Sequence, residues 1–276
     1  VSYVLVFFAF VGLIFCAISS DRLDIKEYHF SNPKVDSFSC LVISDYHHRS
    51  LKFSNGNMID ILNKQEHVDY VFFTGDLIDS HTKNLNDVKA IFDTSVKIAN
   101  KGCYFVTGNH EEYAPKWGQL QDLIKEYDKI DYLKDEEVLN GQIHLFGLED
   151  ARFKVGGGAS FKKRADATKK TIEDKFKNKI NKDDFNVLLV HRPENFKMIA
   201  DDYKFDLVIA GHTHGGQFKI GNWVPTSIFQ EEGDYMGGKY HRNNTDLVVS
   251  RGLGYSAMFP LRVNCNPEIV KITVSK

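Results

Sequence analysis

Aspartate, asparagine and histidine recur in five short polar clusters along this chain, each set directly after an apolar run. They are Ser44-Asp45-Tyr46-His47, Gly75-Asp76-Leu77-Ile78-Asp79, Gly108-Asn109-His110-Glu111, Leu189-Val190-His191 and Gly211-His212-Thr213-His214. Asp45, His47, Asp76, Asn109, His191, His212 and His214 are oxygen and imidazole donors with no thiolate among them. Such a set suits divalent Mn, with Fe or Zn as alternatives, and argues against a structural Cys-type zinc site. A catalytic zinc uses three protein ligands plus water, so this many donors points to two ions joined by a bridging carboxylate. Asp76 is the natural bridge.

Two cations about 3.5 to 4 Å apart polarise a phosphoryl oxygen and bring the pKa of a bridging water toward neutrality. The expected reaction is therefore hydrolysis of a phosphodiester or pyrophosphate bond by a metal-bridging hydroxide. No Ser-His-Asp or reactive-Cys arrangement competes with it. His110, directly after Asn109, is placed to protonate the leaving oxygen. Asp79 either orients a ligand or caps the next helix. Glu111 either hydrogen-bonds His110 and keeps it protonated or stands as a solvated carboxylate.

The ordered set resembles the calcineurin-like metallophosphoesterases, whose blocks run D-x-H, G-D-x-x-D, G-N-H-[DE], a lone His, and G-H-x-H. The resemblance implies that Asp45, His47, Asp76 and His214 hold one metal, that Asp76, Asn109, His191 and His212 hold the other, and that His110 is catalytic. Gly211 to Gln217 and Ser250 to Ser256, followed by Pro260-Leu261-Arg262, resemble one branch: membrane-associated phosphodiesterases related to UDP-2,3-diacylglucosamine pyrophosphatases. One departure is Tyr46-His47-His48, where the family more often has Leu-His-Leu. The ligand spacing survives it.

The elements that must position these residues are short strands. Cys40 to Ile43, Tyr70 to Thr74, Cys103 to Thr107, Val187 to Val190 and Leu207 to Ala210 are rich in β-branched and aromatic residues, as doubly buried strands are. In open α/β sheets ligands gather outside the carboxyl ends of such strands. Further strands are expected over Leu23 to Phe30, Asp246 to Ser250 and Glu268 to Val274, and Leu139-Asn140-Gly141-Gln142 signals a hairpin. Helices are expected over Gly56 to Gln65, Leu85 to Asn100, Pro115 to Tyr127 and Pro193 to Asp202. The predicted fold class is α/β, a two-sheet β-sandwich flanked by helices (α/β/β/α), as the resemblance also implies.

With 276 residues and 42% hydrophobic content the chain can bury one sizeable core, and a single catalytic domain is expected over residues 21–276. A formal net charge of -2 supplies no global field for nucleic acid, which is not expected as a partner. Four scattered cysteines, Cys16, Cys40, Cys103 and Cys265, make no disulfide framework. Val1 to Ile18 carries no charge and at about 1.5 Å per residue covers about 30 Å, so residues 1–20 read as a membrane anchor, or as a signal segment. Membrane association and a phosphoester substrate, including a lipid-linked one, are the expected partners. The Lys-rich stretch Phe161 to Asn181 reads as a solvated helix or as a surface for anionic lipid or substrate. The alternative function is a non-catalytic scaffold of the same fold that docks a protein partner.

Overall fold

A computed structural model describes residues 21–141, 143–219, 224, 235–255 and 261–276, with residues 3, 6, 7, 11 and 12. In chain order the strands are β1 (Asp24–Ser31), β2 (Ser37–Ile43), β3 (Lys52–Phe53), β4 (Gly56–Asn57), β5 (Val68–Phe73), β6 (Ala99–Phe105) and β7 (Ile130–Tyr132). They continue with β8 (Glu136–Asn140), β9 (Ile143–Gly147), β10 (Phe185–Leu189), β11 (Leu207–Ala210), β12 (Gly238–Arg242), β13 (Thr245–Val249) and β14 (Glu268–Ser275). The α-helices are α1 (Met58–Asn63), α2 (Asn86–Ile98), α3 (Trp117–Lys125), α4 (Arg152–Val155), α5 (Phe161–Thr171) and α6 (Phe196–Asp202).

Two six-stranded sheets face each other, one ordered β1-β14-β2-β5-β6-β7 and the other β12-β13-β11-β10-β9-β8. Strand alternation explains the layers. Cys40, Val42, Tyr70 and Phe72 point inward and pack against Val187, Leu189, Leu207 and Ile209 of the opposite sheet. Their neighbours Leu41, Ile43, Val71 and Phe73 point outward, onto Val88, Ile91 and Phe92 of α2. On the far side Leu188 and Val208 meet Ile199 and Ala200 of α6 and Phe176. The central strands are thus apolar on both faces, and truncating a fully buried ring such as Phe72 to alanine costs about 3 to 5 kcal/mol.

The strands that carry the polar clusters run the same way within each sheet. β2, β5 and β6 are mutually parallel, as are β9, β10, β11 and β13. Their carboxyl ends deliver the clusters to one rim.

Some boundaries differ from expectation. α1 starts at Met58 because Gly56 and Asn57 are taken by β4, and the Asn57 side chain caps the helix by accepting the Ile59 N–H at 2.9 Å. α2 ends at Ile98, and Ala99 opens β6 with no intervening loop. The stretch from Pro193 begins as a 3₁₀ turn before α6. The hairpin joins β8 and β9 with Asn140 opposite Ile143; Gln142 lies outside the described residues. The expected membrane anchor over residues 1–18 lies for the most part outside them too, and among the described residues no helix is long and apolar enough to cross a membrane.

Candidate metal centre

Each predicted site residue sits within a few positions of a strand end, and hydrogen bonds stitch the separate loops together. The Asp45 N–H donates to Gly75 O at 3.0 Å, and the His47 N–H to Asp76 O at 2.9 Å. The Asp45 carboxylate crosses to the other sheet, accepting the His212 N–H at 3.1 Å and the Ser44 hydroxyl at 2.5 Å. Gly75 and Gly108 let the loops after β5 and β6 touch: a Cβ on Gly75 would collide with the Gly108 backbone, and one on Gly108 with Asp76.

Backbone conformation marks the same residues. Of nine non-glycine residues with positive φ among the described residues, five are predicted donors: Asp45 (53°), His47 (59°), Asp76 (54°), His212 (72°) and His214 (50°). Asp and His tolerate this left-handed region better than most residues, yet each instance costs free energy, and such residues concentrate at functional sites.

The side chains form two groups. Donor atoms of Asp45, His47 and His214 lie within 4.8 Å of one another, and so do those of Asp76, His191 and His212. His47 Nε2 and His214 Nε2 are 3.3 Å apart, and His191 Nε2 and His212 Nδ1 are 3.2 Å apart. Two ligand atoms on one tetrahedral zinc stand about 3.4 Å apart, so both spacings fit a shared cation. Asp76 joins the groups: its Oδ2 is 3.1 Å from His191 Nε2 and 3.9 Å from His47 Nε2. Asn109 lies between the loops, and its Oδ1 is buried with no hydrogen-bond partner among the described residues. A buried amide oxygen without a donor is costly, and a cation would satisfy it.

Burial drives His47 down to about 4, against the pull of Asp76. It also holds His214 and half-buried His212 well below the usual imidazole range, helped by the His47 and Arg192 charges respectively. These rings are therefore neutral at pH 7, the form that ligates metals. His191 differs. Burial opposes its charge, but the neighbouring Asp76 carboxylate, with Asp45 behind it, pushes it up to about 10. Burial would raise Asp76, yet His191 and His110 hold it well below the carboxylate range; burial lifts Asp45 to about 6. His191 Nδ1 donates to Thr74 O at 2.7 Å, which turns its Nε2 to the centre.

His110 stands at the rim. Its ring lies edge-on to His47, with centroids 4.7 Å apart, and its Nε2 is 3.9 Å from Asp76 Oδ2. Burial lowers its pKa, and Asp76 opposes this. Asp79 does not cap the next helix, because α2 starts only at Asn86; its Oδ1 accepts the His81 N–H at 2.8 Å in a local turn, and its Oδ2 lies 2.6 Å from His48 Nδ1 and 3.7 Å from His47 Nδ1, beyond hydrogen-bond reach of the latter.

Glu111 corrects both expectations, since it neither bonds His110 nor meets solvent. It is fully buried, and its carboxylate accepts the N–H groups of Gly108 at 2.8 Å, Asp76 at 3.0 Å and Leu77 at 2.7 Å. Burial and then the Asp76 charge push it up to about 8, yet each of these bonds is donated to it, which favours the carboxylate.

Two further residues were not singled out from the sequence, and a third, Arg262, entered only within the Pro260-Leu261-Arg262 resemblance. Tyr113 places its hydroxyl 2.6 Å from His110 Nδ1. Arg192, paired with Asp150 at 2.8 Å, directs Nη1 to His212 Nε2 at 2.8 Å; because a guanidinium only donates, Nε2 is the acceptor and the ring hydrogen lies on Nδ1 in this arrangement. Arg262 is buried among backbone carbonyls, including those of Gly254, Arg251 and His214. Nothing local marks the roles of Arg192 and Arg262, whose partners are backbone groups or distant side chains, whereas Tyr113 lies three residues from His110.

Residues 38–216 match the calcineurin-like phosphoesterase family, well over half of the chain. The chain belongs to that family. Among its relatives, an uncharacterized metallophosphoesterase of Helicobacter pylori is 30% identical over 262 residues, covering 90% of this chain and 63% of the relative. The chain thus spans just under two thirds of that protein's length. YkuE of Bacillus subtilis, another uncharacterized metallophosphoesterase, is 25% identical over 250 residues, covering 89% and 80%. A dimetal phosphatase from Danio rerio is a similar solved structure, at 14% identity and a TM-score of 0.45, covering 78% of this chain and 87% of that one. Family membership implies divalent metal ions, and the grouped donors described above could hold them.

Proposed function

We propose that the chain is a binuclear metal-dependent phosphohydrolase that cleaves a phosphodiester or pyrophosphate bond, including one in a lipid-linked substrate. The observation that carries this reading is Asp76 Oδ2, a single oxygen facing imidazoles of both donor groups. Asp45, His47, Asp76 and His214 would hold one ion, and Asp76, Asn109, His191 and His212 the other, with Mn the preferred metal. When bound, the ions would polarise the phosphoryl group and make water nucleophilic near pH 7.

The chain's own residues supply the rest. Glu111 holds the loops that present Asp76 and Asn109, and the Asp79 carboxylate lies behind His47, 3.7 Å from its Nδ1, where its charge would favour the ring as a ligand. His110 gives a proton to the leaving oxygen through Nε2; the negative charge of a bound phosphoester favours its protonated form, and Tyr113 fixes the ring from the Nδ1 side. The scaffold alternative is disfavoured because all seven donors and His110 are retained in one place.

The resemblance of Gly211 to Gln217 and of the Arg262 segment to the membrane-associated branch supports a pyrophosphate or diester over a simple monoester. The uncharged stretch of residues 1–18 supports membrane attachment. Full-length protein should then sediment with membranes in high salt, and release by salt alone would refute attachment through that stretch.

The decisive test is metal analysis after dialysis, paired with hydrolysis of a chromogenic phosphodiester. Two tightly held equivalents per chain and activity that follows occupancy are expected. Fewer than two, or full occupancy without hydrolysis of diester or pyrophosphate, would overturn the reading.

A further inference from the structure

His48 stands where the family more often has leucine, and in the fold it meets two residues that follow the Gly75-Asp76 block. One ring nitrogen from each of His48 and His81 and one carboxylate oxygen of Asp79 lie within 4.8 Å of one another. His48 Nδ1 is 2.6 Å from Asp79 Oδ2, and the two imidazole rings are 5.1 Å apart at a tilt of 42°. Asp79 is buried and fixed by the His81 N–H and the Thr82 hydroxyl, at 2.8 and 3.2 Å, whereas both imidazoles are exposed. His48 and His81 line a cavity of about 310 Å³ that also reaches His47.

We propose that His48, Asp79 and His81 form a third cation site, distinct from the metal centre, for a borderline divalent ion such as Zn²⁺, Co²⁺ or Ni²⁺. Two imidazoles and one carboxylate select these ions over Mg²⁺ or Ca²⁺, which prefer oxygen ligands throughout. Ligand atoms on one such ion stand about 3 to 3.5 Å apart; His48 Nδ1 and Asp79 Oδ2 are already in contact at 2.6 Å, so the His81 nitrogen is the one that must draw in, by up to about 1.5 Å. The buried carboxylate gives a fixed point that His48 already contacts, and the exposed His81 ring has room to turn onto it. Three protein ligands leave coordination positions open toward the cavity, where Lys83 also lies. The site therefore suits an anionic group of a substrate whose reacting phosphorus lies beyond His47. The trio does not depend on the binuclear reading, since none of the seven donors belongs to it.

Titration of the full chain with Zn²⁺ and with Co²⁺ tests the site. Wild type should take up one equivalent more than His48→Leu or His81→Asn, bound more weakly than the equivalents that survive dialysis. The equivalents retained by the variants report the centre and the difference reports the third site, so either can fail alone. Equal stoichiometry in wild type and both variants would overturn the proposal. A second measurement uses wild type only: Zn²⁺ at the concentration that fills the weak site should protect His48 and His81 from carbethoxylation. Undiminished labelling of both would equally overturn it.

Discussion

The backbone N–H of His110 donates to Asp76 Oδ1 at 2.7 Å, so one oxygen of this carboxylate is anchored while the other faces the imidazoles of both donor groups. An amide cannot do both. Asp76→Asn must either lose the His110 bond or turn an NH₂ toward His191 and His47. Activity should fall by about 10³-fold or more, with loss of metal, because only a bridging carboxylate offsets the charge of two ions. Asp79→Asn, which touches His47 from behind, should cost about 10 to 100-fold. Steady-state kinetics and metal analysis of the two variants decide this, and comparable residual rates would remove Asp76 from its bridging role.

His110→Ala should keep near-normal metal content and lose turnover, most severely on esters with poor leaving groups. Activity on nitrophenyl esters, whose leaving group needs no proton, should be partly preserved. Tyr113→Phe should show the same leaving-group dependence in weaker form, through a drop in kcat with little change in KM. Equal losses on activated and unactivated esters would assign His110 a structural role instead.

Glu111→Gln leaves an NH₂ facing backbone N–H donors in a fully buried place. Each mismatched or abandoned group costs about 1 to 3 kcal/mol, so urea denaturation should show a loss in that range, and a larger one for Glu111→Ala. Metal retention should fall with it. Wild-type stability in both variants would mean that the loops hold their shape without this carboxylate.

The central strands and the donor set were readable because each occupies consecutive residues: an apolar run, then its polar cluster. Boundaries were less so. Ala99 and Asn100 carry no strand signature and belong to β6 because Ala99 pairs with Val68 of β5, across a register shift from the pairing of Gly102 to Phe105. Glu111 was misread, Arg192 was missed and the role of Arg262 was not read for a different reason. Glu111 accepts from an amide 35 positions away, and Arg262 donates to a carbonyl 48 positions away. A bond from a side chain to a remote backbone group leaves no residue-type pattern, since the backbone is the same everywhere.

Arg262 gives the tail its own test. Burial lowers its pKa, yet it donates to backbone carbonyls beside Asp45 and His214. Arg262→Met should destabilise the fold by at least about 3 kcal/mol, because several carbonyls lose their donor at once. Arg262→Lys should recover part of that, having fewer donors in a less rigid array. Thermal melts of the two variants would separate a donor role from simple space filling, which methionine would satisfy.

Stripping the protein with a chelator should lower its melting temperature, and adding Mn²⁺ back should restore it in a concentration-dependent way. An ion that binds only the folded chain stabilises it by about 4 kcal/mol at a thousandfold excess over Kd. Asp76→Asn should melt at the same temperature with or without added metal. A wild-type melting temperature indifferent to metal would show that the donors are not filled.

The left-handed backbone at Asp45, His47, Asp76, His212 and His214 sets thermal robustness against retention of the ligands. Glycine would relax the main chain at any of these positions, at about 1 to 3 kcal/mol of released strain each. A library screened for heat resistance in the absence of metal should therefore accumulate glycine there, while the same library screened for hydrolysis should not. The centre would be the first part of this molecule to erode once its chemistry ceased to be selected.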